Sequence, residues 1–124
     1  MINELKKVRE FHEIFLHPVA DKPTTTVNEV LRYKLMSEEN LEYLEAATNK
    51  DLVGIADALG DQLYILCGTI VAHGMQDLIV DVFNEIHDSN MTKLGADGKP
   101  VYREDGKITK GPLYKKPEIG QFFK

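Results

Sequence analysis

Six carboxylates crowd into one third of the chain: Glu38, Glu39, Glu42 and Glu45, then Asp57 and Asp61. Both groups fall in segments of helical periodicity joined by a turn near Asn49-Lys50. If the two helices run antiparallel about that turn, residues whose numbers sum to about 99 face each other, since neighbours on one face recur every three or four residues. Glu42 then lies opposite Asp57, and Glu38 and Glu39 opposite Asp61. Glu39 and Glu42 are i, i+3 neighbours and Asp57 and Asp61 are i, i+4 neighbours, so each helix can aim its pair at one point. A Glu-rich helix is most often a solvated face, but two features argue against that here. Asp is a poor helix-interior residue, costing roughly half a kcal/mol relative to Ala, yet the second helix of the pair holds two. That helix also carries no lysine or arginine to neutralise them. Like charges this close repel unless they are protonated or hold a metal. Carboxylate-only ligation favours Mg²⁺ or Mn²⁺ over zinc, and Mg²⁺ commonly shares its shell with substrate phosphates. The expected chemistry is therefore that of phosphate esters or phosphoanhydrides.

The elements that must position these groups are four helices. Leu5, Val8, Phe11, Ile14 and Phe15 recur at steps of three and four between Asn3 and Leu16, and Pro18 ends that helix. After an Ala20–Thr25 loop, Thr26 and Glu29 have capping-box spacing for a second helix through Val27, Val30, Leu31, Leu35, Leu41 and Leu44. A third starts near Asp51 and runs through Leu52, Ile55, Leu59, Leu63, Leu66 and Ile70 to His73, with Gly74 suited to the left-handed conformation past its end. A fourth, from about Gln76 to Asp88, places Leu78, Ile79, Val82, Phe83 and Ile86 inward. Beyond Ser89 the periodicity gives way to a tail in which Val101–Ile108 reads as a short hairpin turning at Asp105-Gly106. The expectation is one all-α domain over 1–124, with a helical body at about 3–88 and a tail at 89–124.

At 124 residues the chain suits a single core. Its longest stretch free of charged side chains, between Asp61 and Asp77, falls short of the ~20 apolar residues of a membrane span. The first residues lack the features of a secretory leader. Cys67 is the only cysteine, which excludes an intrachain disulfide and a thiolate metal cluster and fits a reducing cytoplasm. Net charge is −5, but residues 1–90 hold 16 acids against 7 bases while residues 91–124 hold 4 against 8. An acidic body with a short basic tail is a poor match for a nucleic-acid polymer and a better one for a cation-collecting pocket.

The segment Glu38-Glu39-Asn40-Leu41-Glu42 resembles the EExxE element, and Asp57-Ala58-Leu59-Gly60-Asp61 the ExxD helix, of the all-α nucleoside triphosphate pyrophosphohydrolases. That superfamily includes the MazG proteins, dimeric dUTPases and phosphoribosyl-ATP pyrophosphohydrolases. The wider pattern, from Phe11-His12 and His17-Pro18-Val19 through Leu31-Arg32 to His87–Lys93 and Arg103–Lys107, is similar to the phosphoribosyl-ATP pyrophosphohydrolase-like branch and covers nearly the whole chain. The resemblance implies a four-helix MazG-like bundle with a short C-terminal hairpin or tail, and hydrolysis between the α- and β-phosphates of a nucleotide. It implies Mg²⁺, or Mn²⁺, held by Glu39, Glu42 and Asp61. The glutamate of ExxD falls at Ala58 here, and Asp57, one residue earlier, is its nearest substitute as a ligand. Glu38 or Glu45 is left to accept a proton from the attacking water. Asn90 and Lys93 can donate to terminal phosphates, with Arg103, Lys107 and Lys110 adding positive charge. Phe11 and His12 can stack on or hydrogen-bond a base, or simply belong to the core. Related proteins build larger bundles from several subunits, which implies a homodimer or homotetramer whose basic tail could close a neighbour's site.

Two other functions compete. A di-iron carboxylate bundle needs Glu-x-x-His pairs, and no glutamate here has a histidine three residues on. A non-catalytic helical module with a degenerate metal site is the alternative that Ala58 keeps open.

Overall fold

The computed structural model describes all 124 residues. The fold is all-α, with four helices and an isolated antiparallel bridge, Tyr102 to Ile108, in place of any strand. The chain divides into two compact units, Met1–Asp77 and Leu78–Lys124.

In the first unit, α1 (Asn3–Ile14) and α2 (Glu29–Thr48) both pack on α3 (Leu52–Ala72). α1 buries Leu5, Val8 and His12, one face at steps of three and four. It stops at Ile14 because Leu16 turns left-handed (φ 59) and the His17 N–H closes back on the His12 carbonyl at 2.8 Å, before Pro18 is reached. Ile14 and Phe15, expected inward, are exposed.

The N-terminal cap of α2 is Asn28, whose Oδ1 accepts the Leu31 N–H at 3.1 Å. The expected Thr26–Glu29 capping box does not form: the Thr26 N–H is bonded to Thr24 Oγ1, and Asn28 lies closer to the first free N–H groups. α2 runs into α3 through Asn49 and a left-handed Lys50 (φ 55), with the Asp51 N–H on the Ala46 carbonyl at 2.9 Å. Asp51 then caps α3 by accepting the Gly54 N–H at 3.0 Å.

The face of α3 that is buried carries small residues, Ala58, Cys67, Gly68 and Ala72 with Val71. They let neighbouring helices approach closely. Much of the larger apolar stripe expected to be internal is exposed, Leu52 at 79% and Leu59, Leu63 and Leu66 with it, as are Val30, Leu31, Leu41 and Leu44 on α2. Three helices offer too little surface to cover two such stripes. At 21 residues α3 is long and apolar enough to cross a bilayer by length and composition, although it packs on two neighbours and carries Asp57 and Asp61. At its end Gly74 is left-handed (φ 69), as its type suggested. The Ala20–Thr25 loop is tied to that end of α3: Gln76 Nε2 donates to the Ala20 carbonyl at 2.8 Å, and His73 Nδ1 lies 2.7 Å from the Thr24 carbonyl.

The second unit holds α4 (Ile79–Met91) and a 3-10 helix, Ile119–Phe123. α4 begins and ends three residues later than its periodicity suggested, and Phe83 is 68% exposed although the pattern placed it inward. Ser89 at its C-terminal end is buried, its Oγ donating to the Lys115 carbonyl at 2.7 Å. The expected hairpin is reduced to one bridge. Its turn has three residues between Arg103 and Lys107, closed by the Arg103 N–H on the Lys107 carbonyl at 2.7 Å. Only Gly106 is left-handed (φ 82), the geometry of a type I turn with a bulge; a two-residue turn at Asp105-Gly106 would have needed both.

Candidate active site

The α2–α3 hairpin sets the site, and its register is fixed by cross-helix bonds. Gln62 Nε2 donates to Asn40 Oδ1 at 3.2 Å, and Arg32 Nε donates to Thr69 Oγ1 at 3.1 Å. These pairs sum to 102 and 101, close to the expected value of about 99.

In this register Glu39, Glu42 and Asp61 converge, each offering a carboxylate oxygen, and the three oxygens lie within 4.8 Å of one another. Glu39 Oε2 is buried with no hydrogen-bond partner. Burial first, then the Glu42 side chain, then the charges of Asp61 and Asp57 push the Glu39 carboxyl up to about 7. No cation relieves this crowding, since the ion pairs of the chain are Arg9 with Glu13 and Asp21, and Arg103 with Asp105. A buried oxygen with a free lone pair, facing two further carboxylates, is an incomplete electrostatic arrangement. An all-oxygen set of this kind fits a hard divalent cation such as Mg²⁺ or Mn²⁺.

The structure does not bring Asp57 into the convergent set. It is exposed, and its effect on Glu39 is through charge. Ala58, where the motif has glutamate, lies in the core at 2% exposure. Glu38 and Glu45 are both exposed on α2, one turn to either side of Glu42.

Phe11 and His12 lie on α1 and line a second feature of the same unit, a pocket of about 240 Å³ shared with His17, Arg32, Leu35, Tyr64 and Ile65. Phe11 is half-buried and meets the Tyr64 ring edge-on, centroids 5.6 Å apart. His12 is only 3% exposed, and its Nδ1 sits 2.8 Å from the Pro18 carbonyl. A carbonyl only accepts, so Nδ1 carries the proton and Nε2 is left as an acceptor. Burial holds His12 below the usual imidazole range, with the Arg32 and His17 charges acting the same way.

Arg32 and Tyr64 carry no role in the sequence-level site. Arg32 is 7% exposed, and its Nη2 makes only a long 3.4 Å bond to the Ile65 carbonyl. A signal was present: Arg32 lies seven residues before Glu39, on the same face, and Gly68, next to its partner Thr69, is small enough to admit a guanidinium.

Of the expected phosphate-binding residues, all five are on the second unit. Asn90 is exposed near the end of α4, and Lys93 follows the helix, its N–H on the Asn90 carbonyl at 3.1 Å. Arg103 is committed to Asp105 at 2.7 Å, which holds that carboxyl below its usual range, and Lys110 Nζ sits 4.9 Å from the Tyr114 ring centre. Lys107 is exposed, its N–H bonded to Asp105.

The family model described as phosphoribosyl-ATP pyrophosphohydrolase matches residues 8–90, which include the whole carboxylate hairpin and the pocket. The chain belongs to this family, as its EExxE and Asp61 residues implied. Among solved structures it is similar to one from Exiguobacterium sp. 255-15 named as a "putative NTP pyrophosphohydrolase", with 28% identity and a TM-score of 0.53 over 98% of this chain and 94% of that one. A comparison with curated proteins found no match. Family and neighbour both point to a hydrolase of the pyrophosphohydrolase type.

Proposed function

We propose that the protein is a Mg²⁺-dependent nucleoside triphosphate pyrophosphohydrolase, with Mn²⁺ as an alternative metal, that cleaves between the α- and β-phosphates to give a nucleoside monophosphate and pyrophosphate. The observation that carries this reading is the convergence of Glu39, Glu42 and Asp61 around an unpartnered, buried Glu39 oxygen. These three side chains would hold the cation, which when bound neutralises phosphate oxygens and makes a coordinated water more acidic. Asp57 adds negative charge to the site without joining the set. Glu38 and Glu45, exposed and free of ion pairs, are each able to take the proton of the attacking water. Asn90 and Lys93, with Arg103, Lys107 and Lys110, are the proposed donors to the phosphates, from the same chain or from a second copy. The exposed apolar side chains of α2, α3 and α4, among them Leu41, Leu44, Leu59 and Phe83, support a homodimer or homotetramer. A nucleotide substrate and a buried free thiol at Cys67 fit a cytoplasmic setting.

Ala58 in the place of the motif's glutamate supports a second reading, a nucleotide-binding module without catalysis. Product analysis separates the two. Purified protein is incubated with a panel of ribo- and deoxynucleoside triphosphates in Mg²⁺, in Mn²⁺ and in EDTA, and monophosphate, diphosphate, pyrophosphate and orthophosphate are measured. The proposal expects monophosphate and pyrophosphate in equal amounts, with metal only. Diphosphate with orthophosphate would place the attack at the wrong phosphorus, and binding without turnover would favour the module.

A further inference from the structure

The pocket beside the carboxylates combines aromatic and apolar walls with the buried guanidinium of Arg32. It lies within the first unit, one helical turn from the metal-binding trio: Leu35 is four residues before Glu39, and Tyr64 and Ile65 are three and four after Asp61, a separation of about 5 Å along each axis. At about 240 Å³ it is smaller than the ~300 Å³ at which pockets for drug-sized ligands begin, so it suits one part of a nucleotide better than the whole. Phe11 and Tyr64 supply aromatic surface for a planar ring.

Besides His17, whose ring lies 5.3 Å from that of His12, the pocket presents two complementary polar groups, Arg32 and His12. Arg32 is buried, has no acidic partner, and donates only to Thr69 Oγ1 at 3.1 Å and weakly to the Ile65 carbonyl at 3.4 Å. A guanidinium has five N–H donors, so most of its capacity is left over. His12 presents the opposite character, because Nδ1–H is engaged by Pro18 and Nε2 offers a lone pair. The two groups are held side by side over Gly68: a Cβ built there would come within 2.8 Å of His12 Nε2 and 3.1 Å of Arg32 Nη2. A donor beside an acceptor, in a pocket walled by Phe11, Leu35, Tyr64 and Ile65, matches a ring that carries an oxo group next to a ring N–H. Uracil, thymine and guanine have that pair. Cytosine has no hydrogen on the ring nitrogen beside its oxo group, and adenine would set an amino donor against the guanidinium. A site built on such a pair rejects the mismatched ring strongly, because its own buried groups are left unpaired.

We propose that the Phe11–Tyr64 pocket is the base subsite of the enzyme and that Arg32, with His12, selects nucleobases having an oxo group adjacent to a ring N–H. This rests on the pyrophosphohydrolase reading for its biological meaning, and the test separates the two. Wild-type protein is titrated in EDTA with uridine, guanosine, cytidine and adenosine, following the Tyr64 and His12 ring signals by NMR, and the triphosphates are assayed in parallel with Mg²⁺ for pyrophosphate. The expected result is that uridine or guanosine shifts both rings and binds at least about 10-fold more tightly than adenosine and cytidine. Arg32→Met should bring the four to within about 3-fold of one another. Because a buried arginine can be needed for folding, Gly68→Ala provides a second variant that leaves Arg32 in the chain but displaces it and His12; it should level the preference in the same way. Equal binding of all four nucleosides, or shifts that bypass Phe11, His12 and Tyr64, would overturn the proposal, while continued Mg²⁺-dependent pyrophosphate release would leave the hydrolase reading standing. Selective uridine or guanosine binding with no pyrophosphate from any triphosphate would support the subsite and overturn the hydrolase reading.

Discussion

Arg32 reaches from α2 to α3 and donates from Nε to Thr69 Oγ1 at 3.1 Å, while the same hydroxyl donates to the Ile65 carbonyl at 2.9 Å. A charge that is 93% removed from water is thus steadied by neutral oxygens alone, and burial lowers its pKa from the ordinary arginine value. Thr69→Val keeps the shape and removes the acceptor, leaving a buried cationic N–H unmatched. Unfolding in urea should show a loss of roughly 1–3 kcal/mol, whereas Thr69→Ser should stay within about 1 kcal/mol of wild type. Equal stability of all three proteins would show that the hydroxyl does not support Arg32.

The metal-free carboxylate cluster makes stability depend on pH. The Glu39 carboxyl is raised from 4.5 to about 7 in the folded chain, so between those values the folded state binds more protons than the unfolded one. Stability of the metal-free protein must therefore fall as pH rises from 4.5 through 7 and level off above. His12 acts in the opposite sense: its depressed pKa contributes stability that is present above 6.5 and lost as pH falls. Comparing wild type with Glu39→Gln in EDTA cancels the His12 contribution. The variant should be the more stable protein at pH 8 by roughly 1–3 kcal/mol, with the gap closing by pH 5. A gap independent of pH would contradict the strained cluster.

Lys50 carries a left-handed backbone (φ 55) at the turn that sets the α2–α3 register. A Cβ in that conformation costs roughly 1 kcal/mol, which glycine avoids. Lys50→Gly should raise the thermal midpoint by a few degrees, with activity unchanged because the residue lies outside the site. A lower midpoint would show that the lysine side chain has a stabilising contact of its own.

Helical spacing and the short turn made a cluster of six carboxylates across one groove legible; the choice of Glu39, Glu42 and Asp61 among them came from the resemblance to the EExxE and ExxD elements. Asp57 shares the Asp61 face at i, i+4 but stays exposed outside the convergent oxygens, acting on Glu39 through charge, which spacing alone does not distinguish. Phe83 and Leu52 mislead for a different reason. Periodicity reveals that a helix has an apolar face but not whether the chain itself covers it, and here Phe83 and Leu52 are exposed. Arg32 escaped because a lone arginine on a helix is usually solvated; only the glycine opposite it, Gly68, reveals that there is room for it inside. Thr26 and Asn28 compete as caps within three residues, and residue preference alone ranks them too closely to decide.

The central claim is that Glu39, Glu42 and Asp61 bind a divalent cation needed for phosphoanhydride cleavage. The direct test is Mn²⁺ calorimetry at pH 8 on wild type and Glu42→Gln, with pyrophosphate release from the best triphosphate measured on the same samples. Wild type should bind the metal and turn over, and the variant should lose at least about 100-fold in turnover together with most of its Mn²⁺ affinity while remaining folded. Unchanged Mn²⁺ binding and turnover in a folded Glu42→Gln protein would contradict the account.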